Sequence, residues 1–491
     1  MLRGSAWMIA LRWAMRIIGV ISTIILARLL TPRDFGIVAV AMILVGLFEM
    51  LNLTGQGLAI VRHEAPTREH YDSAWTVSVL IGVAIAISIL IAAPFTKAYF
   101  HEPRSIVVMQ CLALRAFLGG LENIGTVDFS RDLRFDKFFI YNVCTKLLQF
   151  VLTVALAFTL RNYWALVAGI LVGQLSRTIL SYVMSPFRPR LSFARTSEIW
   201  SFSIWTFLRS IAVYLQQQVD NIAIGGIAGS AIMGRYTVAK DVAASPTQEI
   251  INPMVVALFP VMSKYRGDPA QLRQLYLRML GWSAIICVST GVGVTMVTDD
   301  LVRVVLGPKW IDATPLIGWL ALNAGMAPLL SGTGTLLDVQ GMPFMSAHIQ
   351  WSRFVAFTAT IFAVAYLTRD VEKVVIARFV LTTLFVPTII FAVRRVTGVP
   401  ARDYLKSMWR PFSAAAFMAL AIWSLNKVLP FQGGGRLALD ILAGTAAYVT
   451  GLLGLWDLSG RPQAAEQDIL TVINKVLARI ARLGILPEAA D

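Results

Sequence analysis

The sequence predicts an all-α polytopic membrane protein with about 14 transmembrane helices, and three observations support this fold class. Hydrophobic residues make up 57% of the 491 residues and charged residues only 14%, and the mean hydropathy is +0.69. Apolar stretches of about 20 residues, the length of a membrane-crossing helix, recur along the whole chain. Strict apolar–polar alternation is absent, so a transmembrane barrel is excluded.

The predicted helices follow one another with short loops between them. The first carries Arg12 and Arg16 and lacks a small-residue cleavage site, so we interpret it as a retained helix and not a signal peptide. In chain order the helices are predicted at 5–27, 36–60, 74–98, 105–127, 138–160, 163–184, 200–224, 231–259, 276–298, 313–337, 345–367, 371–393, 409–427 and 437–456.

The distribution of Lys and Arg predicts the orientation of these helices. Alternate loops and the C-terminal tail carry roughly twice as many basic residues as the other loops, and basic loops stay on the cytoplasmic side. We therefore expect both termini in the cytoplasm, for a multi-pass protein of the bacterial inner membrane. This bias and the attraction to anionic lipid headgroups account for the net charge of +15 without nucleic acid as a partner.

Two similar turns indicate an internal repeat. The first leads to Gly36 and Ala41, the second to Gly234 and Ala239, and both pairs lie 198 residues apart. Six predicted helices separate the turns, so the two halves have the same orientation and predict two parallel six-helix lobes around a central cavity. The predicted regions are an N-terminal lobe (1–199), a C-terminal lobe (200–396), two additional helices (397–460) and a cytoplasmic amphipathic tail (461–491).

Charged and polar residues within the predicted helices are the candidate site, because intramembrane charges are costly and usually face a cavity or a partner. Arg suits phosphate groups in particular, since it binds them bidentately and stays charged. Snorkelling to the interface or pairing in structural salt bridges is the alternative for each cation. The candidate substrate-binding cations are Arg12, Arg16, Arg115, Lys146, Arg177 and Arg209, and the candidate polar and acidic cavity residues are Glu49, Glu122, Gln216, Asp220, Lys240 and Asp241.

Cysteine and histidine give no further site. The three cysteines fall within predicted helices without a spacing motif, and the four histidines form no ligand cluster. A Gly-rich nucleotide-binding motif is also absent. We therefore expect no metal, no cofactor and no catalytic residue.

Several segments resemble the Wzx/PST polysaccharide exporters of the multidrug/oligosaccharidyl-lipid/polysaccharide (MOP) flippase superfamily. The resemblance rests on the order and spacing of short motifs, which are Ala27-Arg28-Leu29-Leu30-Thr31-Pro32-Arg33-Asp34-Phe35-Gly36, Asp220-Asn221-Ile222-Ala223-Ile224-Gly225, Gly234-Arg235-Tyr236, Leu258-Phe259-Pro260 and Val305-Leu306-Gly307-Pro308-Lys309-Trp310. It implies two six-helix lobes, alternating access, and a polyprenyl-diphosphate-linked oligosaccharide as substrate.

The leading functional hypothesis is therefore a flippase for exopolysaccharide, capsule or O-antigen (lipopolysaccharide) biosynthesis, not an enzyme. Its partners would be the lipid-linked oligosaccharide, membrane lipids, and the polysaccharide polymerase and chain-length machinery. A cation- or proton-coupled multidrug antiporter of the same superfamily is the first alternative, although the surplus of intramembrane cations argues against it. A membrane-embedded polymerase or transferase is less favoured, because such enzymes generally need larger extramembrane loops.

Overall fold

The structure, a computed structural model, describes residues 2–52, 60, 63, 65–196, 204–330, 332–429, 433–462, 465–468 and 471. Within these ranges the chain is almost wholly helical and forms no β-strand. The α-helices are α1 Leu2–Leu29, α2 Pro32–Asn52, α3 Arg68–Phe100, α4 Arg104–Gly120, α5 Asp128–Arg131, α6 Phe135–Leu160, α7 Trp164–Met184, α8 Ile204–Lys264, α9 Pro269–Leu301, α10 Thr314–Met326, α11 Gly332–Val339, α12 Pro343–Thr368, α13 Val371–Leu384, α14 Val386–Thr397, α15 Ala401–Val428 and α16 Gly434–Leu458.

The predicted fold class is confirmed, since the chain is an all-α multi-pass membrane protein. Nine helices in the described ranges are long and apolar enough to cross a membrane, and a bent pair formed by Arg104–Gly120 and Ile124–Arg131 raises the number to ten. The count of 14 stays a prediction. The predicted tail, with its apolar stripe beginning at Ile469, lies almost entirely outside the described residues.

Helix α8 combines two of the predicted spans into one 61-residue element that is broken at Gly229. Gly229 has φ 72° and ψ 171°, a conformation that only glycine adopts readily, so the break is located where the sequence allows it. The predicted span 313–337 is also interrupted, because a 3₁₀ turn at Ala327–Leu330 separates α10 from α11. Pro328 lies inside that turn and cannot donate the backbone hydrogen bond of a regular α-helix.

The chain divides into two compact units. The first contains the described residues of Met1–Val238, Val305–Asp312 and Gln350–Val374, and the second contains those of Ala239–Val304, Ala313–Ile349 and Val375–Asp491. Compactness by itself does not assign membrane lobes, so the predicted division at residues 199 and 396 stays a prediction.

Within the first unit, the two repeated turns pack directly against each other. A Cβ atom on Gly36 would lie 1.6 Å from the carbonyl oxygen of Ser230, and one on Gly234 would lie 1.7 Å from that of Pro32. Residues 230 and 234 are the 198-residue equivalents of 32 and 36, so each turn makes the same contact with the other. Such a reciprocal contact requires a local two-fold axis between the turns.

Polar contacts fix both turns in place. Arg33 and Ser230 meet at Glu102, which lies 3.6 Å from the Arg33 guanidinium and accepts a 2.9 Å hydrogen bond from the Ser230 hydroxyl. Asp34 accepts hydrogen bonds from the Thr31 amide at 2.9 Å and the Tyr163 amide at 3.0 Å. The end of α1 is held in the same way, because the Trp310 indole donates to the carbonyl oxygen of Ala27 at 2.9 Å.

In the second unit, the segment after α16 returns to pack on α9 and α15. Arg410 and Glu466 form an ion pair at 2.9 Å in which both side chains are at most 6% exposed. A Cβ atom on Gly281 would lie 2.9 Å from the Cβ atom of Ala465, so the two segments touch at that glycine. This short segment is therefore held against α9 and α15 by a buried charge pair that apolar side chains surround.

Candidate functional site

Polar and charged side chains on α2, α4, α6, α7 and the turn after α4 lie close together in the first unit. We call this group the polar row and define it as Glu49, Arg115, Glu122, Tyr141, Lys146 and Arg177. All of them except Tyr141 were predicted as site residues. Their surroundings show which charges are already compensated by the protein.

One end of the polar row is a three-residue network around Glu122. The Arg177 Nε atom lies 3.0 and 3.1 Å from the two Glu122 carboxylate oxygens, and the Tyr141 hydroxyl donates a short hydrogen bond to the same carboxylate. The Arg177 guanidinium also lies 5.2 Å from the centroid of the Tyr141 ring, within range of a cation–π interaction. The network joins α6, α7 and the turn after α4.

Glu122 itself lies in a turn and not in a helix. The sequence predicts a helix over 105–127, but α4 ends at Gly120 and Asn123 begins a 3₁₀ turn by accepting a hydrogen bond from the Gly125 amide. Gly119 and Gly120 have low helix propensity, and an Asn side chain competes with helical hydrogen bonding. The end of α4 therefore turns Glu122 towards α7.

A second ion pair lies nearby. Arg115 on α4 contacts Glu49 on α2 at 3.0 Å, and both side chains are about one quarter exposed. Gly119 follows Arg115 by one turn, and a Cβ atom there would lie 3.6 Å from the Gln174 Nε2 atom on α7. Gln174 precedes Arg177 by about one turn, so the two ion pairs flank the same α4–α7 contact.

Lys146 differs from the other two cations of the polar row. It lies half-buried on α6, and among the described residues no carboxylate pairs with it. Gln149 and Thr153 continue its helical face and pack on glycines of α7, where Cβ atoms on Gly173 and Gly169 would lie 3.0 and 1.8 Å from them. Lys146 therefore belongs to a polar face of α6 whose other members, Gln149 and Thr153, pack on α7.

The other predicted cations are distributed more widely. Arg12 and Arg16 lie half-buried on α1, both with interactions in the protein, and Trp7 of the same helix packs on Phe139 of α6 at 5.1 Å. Arg209 lies on α8, but its side chain is outside the described residues. The first two charges are thus on a helix that adjoins the polar row.

The predicted polar residues of α8 take part in contacts on both sides of the Gly229 break. Asp220 is 1% exposed and accepts a 2.7 Å hydrogen bond from the Tyr236 hydroxyl across the break. Gln216 accepts a hydrogen bond from Gln350 on α12. Lys240 and Asp241 follow on the second half of α8, in the second unit, and both have interactions within the protein.

Two residues that take part in the polar networks, Tyr141 and Glu102, were not predicted from the sequence. Tyr141 is an ordinary aromatic residue in an apolar stretch, so only its short hydrogen bond with Glu122 reveals its role. Glu102 lies in a short loop, where an acidic residue is normally solvated, yet it is 5% exposed. The sequence offered one signal for its role, which is that Glu102 immediately precedes Pro103 and the start of α4.

The Glu122–Arg177 pair should show strong energetic coupling. We expect Glu122→Gln and Arg177→Gln each to lower the free energy of unfolding, and the double variant to lose less than the sum of the singles by about 1 kcal/mol, because either single change leaves a desolvated group without its partner. Thermal unfolding of the four purified proteins in one detergent measures this coupling. Additive losses would contradict the pairing.

Comparisons with known proteins relate the chain to proteins of polysaccharide biosynthesis. A family model described as polysaccharide biosynthesis protein matches residues 25–315. The chain is 25% identical over 430 residues to the succinoglycan biosynthesis transport protein ExoT of Rhizobium meliloti (strain 1021), covering 86% of this chain and 85% of that protein. It is 22% identical over 435 residues to the lipopolysaccharide biosynthesis protein WzxC of Escherichia coli (strain K12), with 84% and 85% covered.

Two solved structures show the same fold. The lipid II flippase MurJ in an inward closed conformation superposes with a TM-score of 0.71 at 11% identity, covering 93% of this chain and 99% of MurJ. An inward-facing multidrug resistance MATE family transporter of the MOP superfamily gives a TM-score of 0.59 at 15% identity, with 78% and 96% covered. At these identities the similarity establishes the fold alone.

Proposed function

The chain belongs to the polysaccharide biosynthesis protein family, and from this premise we propose that it is a flippase for polyprenyl-diphosphate-linked oligosaccharide. It would move its substrate from the cytoplasmic to the periplasmic leaflet of the bacterial inner membrane, with both of its own termini in the cytoplasm. The names of ExoT and WzxC and the fold of MurJ support this class of activity.

The observation that carries the proposal is which cations of the polar row are paired with a carboxylate and which is not. Two of its cations, Arg115 and Arg177, are compensated by Glu49 and Glu122, whereas Lys146 pairs with no carboxylate among the described residues. A half-buried, uncompensated ammonium is costly in a membrane-spanning helix. A diphosphate would compensate it, and the neighbouring arginines could donate further hydrogen bonds to phosphate oxygens.

In this mechanism each part of the substrate occupies a different environment. The diphosphate lies against Lys146 and the adjacent guanidinium groups, the sugars occupy the hydrated interior, and the polyprenyl chain stays in the lipid. Arg12, Arg16 and Arg209 are proposed as further contacts for the diphosphate, and Gln216, Asp220, Lys240 and Asp241 as polar contacts for the sugars. The polysaccharide polymerase and its chain-length machinery are proposed partners, because they would consume the translocated unit.

Lys146→Ala is expected to reduce polysaccharide export by about 10- to 100-fold at limiting substrate, because one charge-assisted hydrogen bond contributes about 1.5–3 kcal/mol. Protein levels should stay near normal, since no ion pair among the described residues is broken. Surface polysaccharide is measured in a strain that lacks its own copy of the gene. Lys146→Arg should retain most of the export, and Lys137→Ala in the first turn of the same helix is the matched control. Full export by Lys146→Ala would refute this role.

A multidrug antiporter is the second candidate, because the MATE transporter shares the fold and Asp220 is a buried intramembrane carboxylate. The two functions predict opposite sensitivities. A flippase should lose polysaccharide output when Lys146 is neutralised, whereas a cation antiporter should lose dye efflux when Asp220 is changed to Asn. Both outputs are measured in the same strains, and loss of dye efflux with unchanged polysaccharide would favour the antiporter.

A further inference from the structure

An extended segment follows α7 and lies across the first turns of α3. We call it the strap and define it as residues 185–195. Its backbone amides bind side chains of α3, since the amide of Arg190 donates to Asp72 at 2.8 Å and that of Ser192 donates to Thr76 at 2.9 Å. The Arg195 amide donates to Ser73 at 3.1 Å in the same way.

These three acceptors are buried polar residues whose presence in a membrane protein requires an explanation. Asp72 is 7% exposed and Ser73 and Thr76 are completely buried. Each uses its side-chain oxygen to bind a strap amide, so the strap is held at fixed points and cannot rotate about its axis. Asn123 adds a fourth contact by donating to the carbonyl oxygen of Phe187 at 2.7 Å.

The fixed strap presents apolar side chains outwards. Leu191 is 73% exposed and Phe193 is 64% exposed, although each could have been a polar residue at no cost to the backbone contacts. Tyr71, which packs on Phe187 of the strap, accepts a hydrogen bond from Arg131, and this brings the α5–α6 turn alongside. In that turn Leu133 is 69% exposed and adopts a positive φ of 58°.

Exposed basic residues alternate with these apolar side chains. Arg188, Arg190 and Arg195 lie in the strap, and Arg134 follows Leu133. We define Leu133, Arg134, Arg188, Arg190, Leu191, Phe193 and Arg195 as the basic apolar surface. Its place along the chain is informative, because it adjoins the beginning of α3 and follows the end of α7, both of which are helices able to cross a membrane.

We propose that the basic apolar surface binds the headgroup region of a membrane that contains anionic phospholipids. Large exposed apolar side chains mark an interaction site, and a combination of apolar and basic residues beside a transmembrane helix fits the boundary between acyl chains and anionic headgroups. Leu133, Leu191 and Phe193 enter the acyl boundary. Arg134 and Arg190 contact lipid phosphates, whereas Arg195 already pairs with Glu69 at 3.4 Å. This inference does not depend on the transported substrate.

The depth of the strap in the membrane tests the apolar half of the proposal. A nitroxide label is attached to Phe193→Cys or, as the matched control, to its exposed neighbour Ala194→Cys, in a full-length background with Cys111→Ser, Cys144→Ser and Cys287→Ala. In nanodiscs of phosphatidylcholine and phosphatidylglycerol, the ratio of oxygen to nickel-chelate accessibility should be several-fold higher at position 193. Equal ratios at the two positions would overturn the proposal and assign the surface to water or to a protein partner.

The preference for anionic over zwitterionic lipid tests the role of the basic residues. This experiment uses the protein with its three cysteines unchanged. Arg134→Gln combined with Arg190→Gln should weaken binding of dioctanoyl phosphatidylglycerol about 30-fold, at roughly 1 kcal/mol per residue, and should leave binding of dioctanoyl phosphatidylcholine unchanged. Neither side chain forms an ion pair among the described residues, so the fold should be preserved. Native mass spectrometry counts the bound lipid.

Lys97→Gln with Arg104→Gln, two exposed cations in and beside the loop between α3 and α4, is the matched control for that titration. We expect the affinity of this control protein for phosphatidylglycerol to stay within about two-fold of the unmodified protein, because its cations lie away from the strap. An equal loss in the control pair, or no loss in the Arg134/Arg190 pair, would overturn the proposed selectivity.

Discussion

Gly234→Ala is expected to be, with its equivalent in the other turn, among the most destabilising single-methyl changes in the described part of the first unit. The new Cβ atom would lie 1.7 Å from the Pro32 carbonyl oxygen, a distance at which one of the two helices must move. Because the obstacle is backbone and cannot rotate away, we expect a loss of about 3 kcal/mol or more, at the upper end of overpacking costs. Thermal unfolding in detergent measures this loss.

Because the contact between the two turns is reciprocal, the equivalent change in the other turn should have a similar effect on stability. Gly36→Ala should cost about as much as Gly234→Ala, because its Cβ atom would lie 1.6 Å from the Ser230 carbonyl oxygen. The matched control is Gly19→Ala in α1, where no atom lies within 4 Å of the added Cβ atom. That change should be neutral or slightly stabilising, since Ala favours a helix more than Gly does. Similar stabilities for all three variants would contradict the close approach of the turns.

Arg410→Met is expected to be strongly destabilising in the second unit. It leaves the Glu466 carboxylate, 3% exposed, without a counter-charge. Breaking a buried ion pair by removing one partner typically costs about 3–5 kcal/mol, because an uncompensated buried charge remains. The measurement is the unfolding midpoint of the purified protein, and the rate at which buried Cys287 reacts with a thiol reagent gives an independent readout.

The double variant Arg410→Met/Glu466→Leu separates the charge from the packing. It should recover most of the lost stability, because an apolar pair of similar size can replace a buried ion pair without cost. Arg461→Ala is the surface control, since its ion pair with Asp457 is well exposed at 69% and 59% and should contribute about 0–1 kcal/mol. If the double variant is as unstable as Arg410→Met, the loss comes from packing and not from the charge.

The all-α membrane class and the repeat were accessible from the sequence, because both depend on local or periodic properties of the chain. Hydropathy over about 20 residues predicts a spanning helix without knowledge of its neighbours. The 198-residue interval between Gly36 and Gly234 is likewise visible in the sequence. The short motifs that begin at Ala27 and Asp220 were sufficient to predict the family, which the family model confirms over residues 25–315.

The partners of the intramembrane charges could not be predicted in this way. The sequence predicts Arg115 and Glu122 within one helix over 105–127, but α4 ends at Gly120. Arg115 pairs with Glu49 on α2, and Glu122 pairs with Arg177 on α7. A charge selects its partner by the rotation and depth of the neighbouring helices, which are set by packing. The pattern of a single helix contains neither quantity.

The same distinction applies to the turns, the strap and the C-terminal segment. The sequence by itself determined that Gly36 and Gly234 are equivalent and that basic residues follow α7. It predicted Arg410 at the start of a helix, whereas α15 begins at Ala401. Only the tertiary structure decided that the two glycines touch, that Glu466 returns to Arg410 and that buried Asp72 holds the strap. Composition and periodicity are properties of neighbouring residues, whereas these contacts join residues 56 to 198 positions apart, and only the packed helices bring them together.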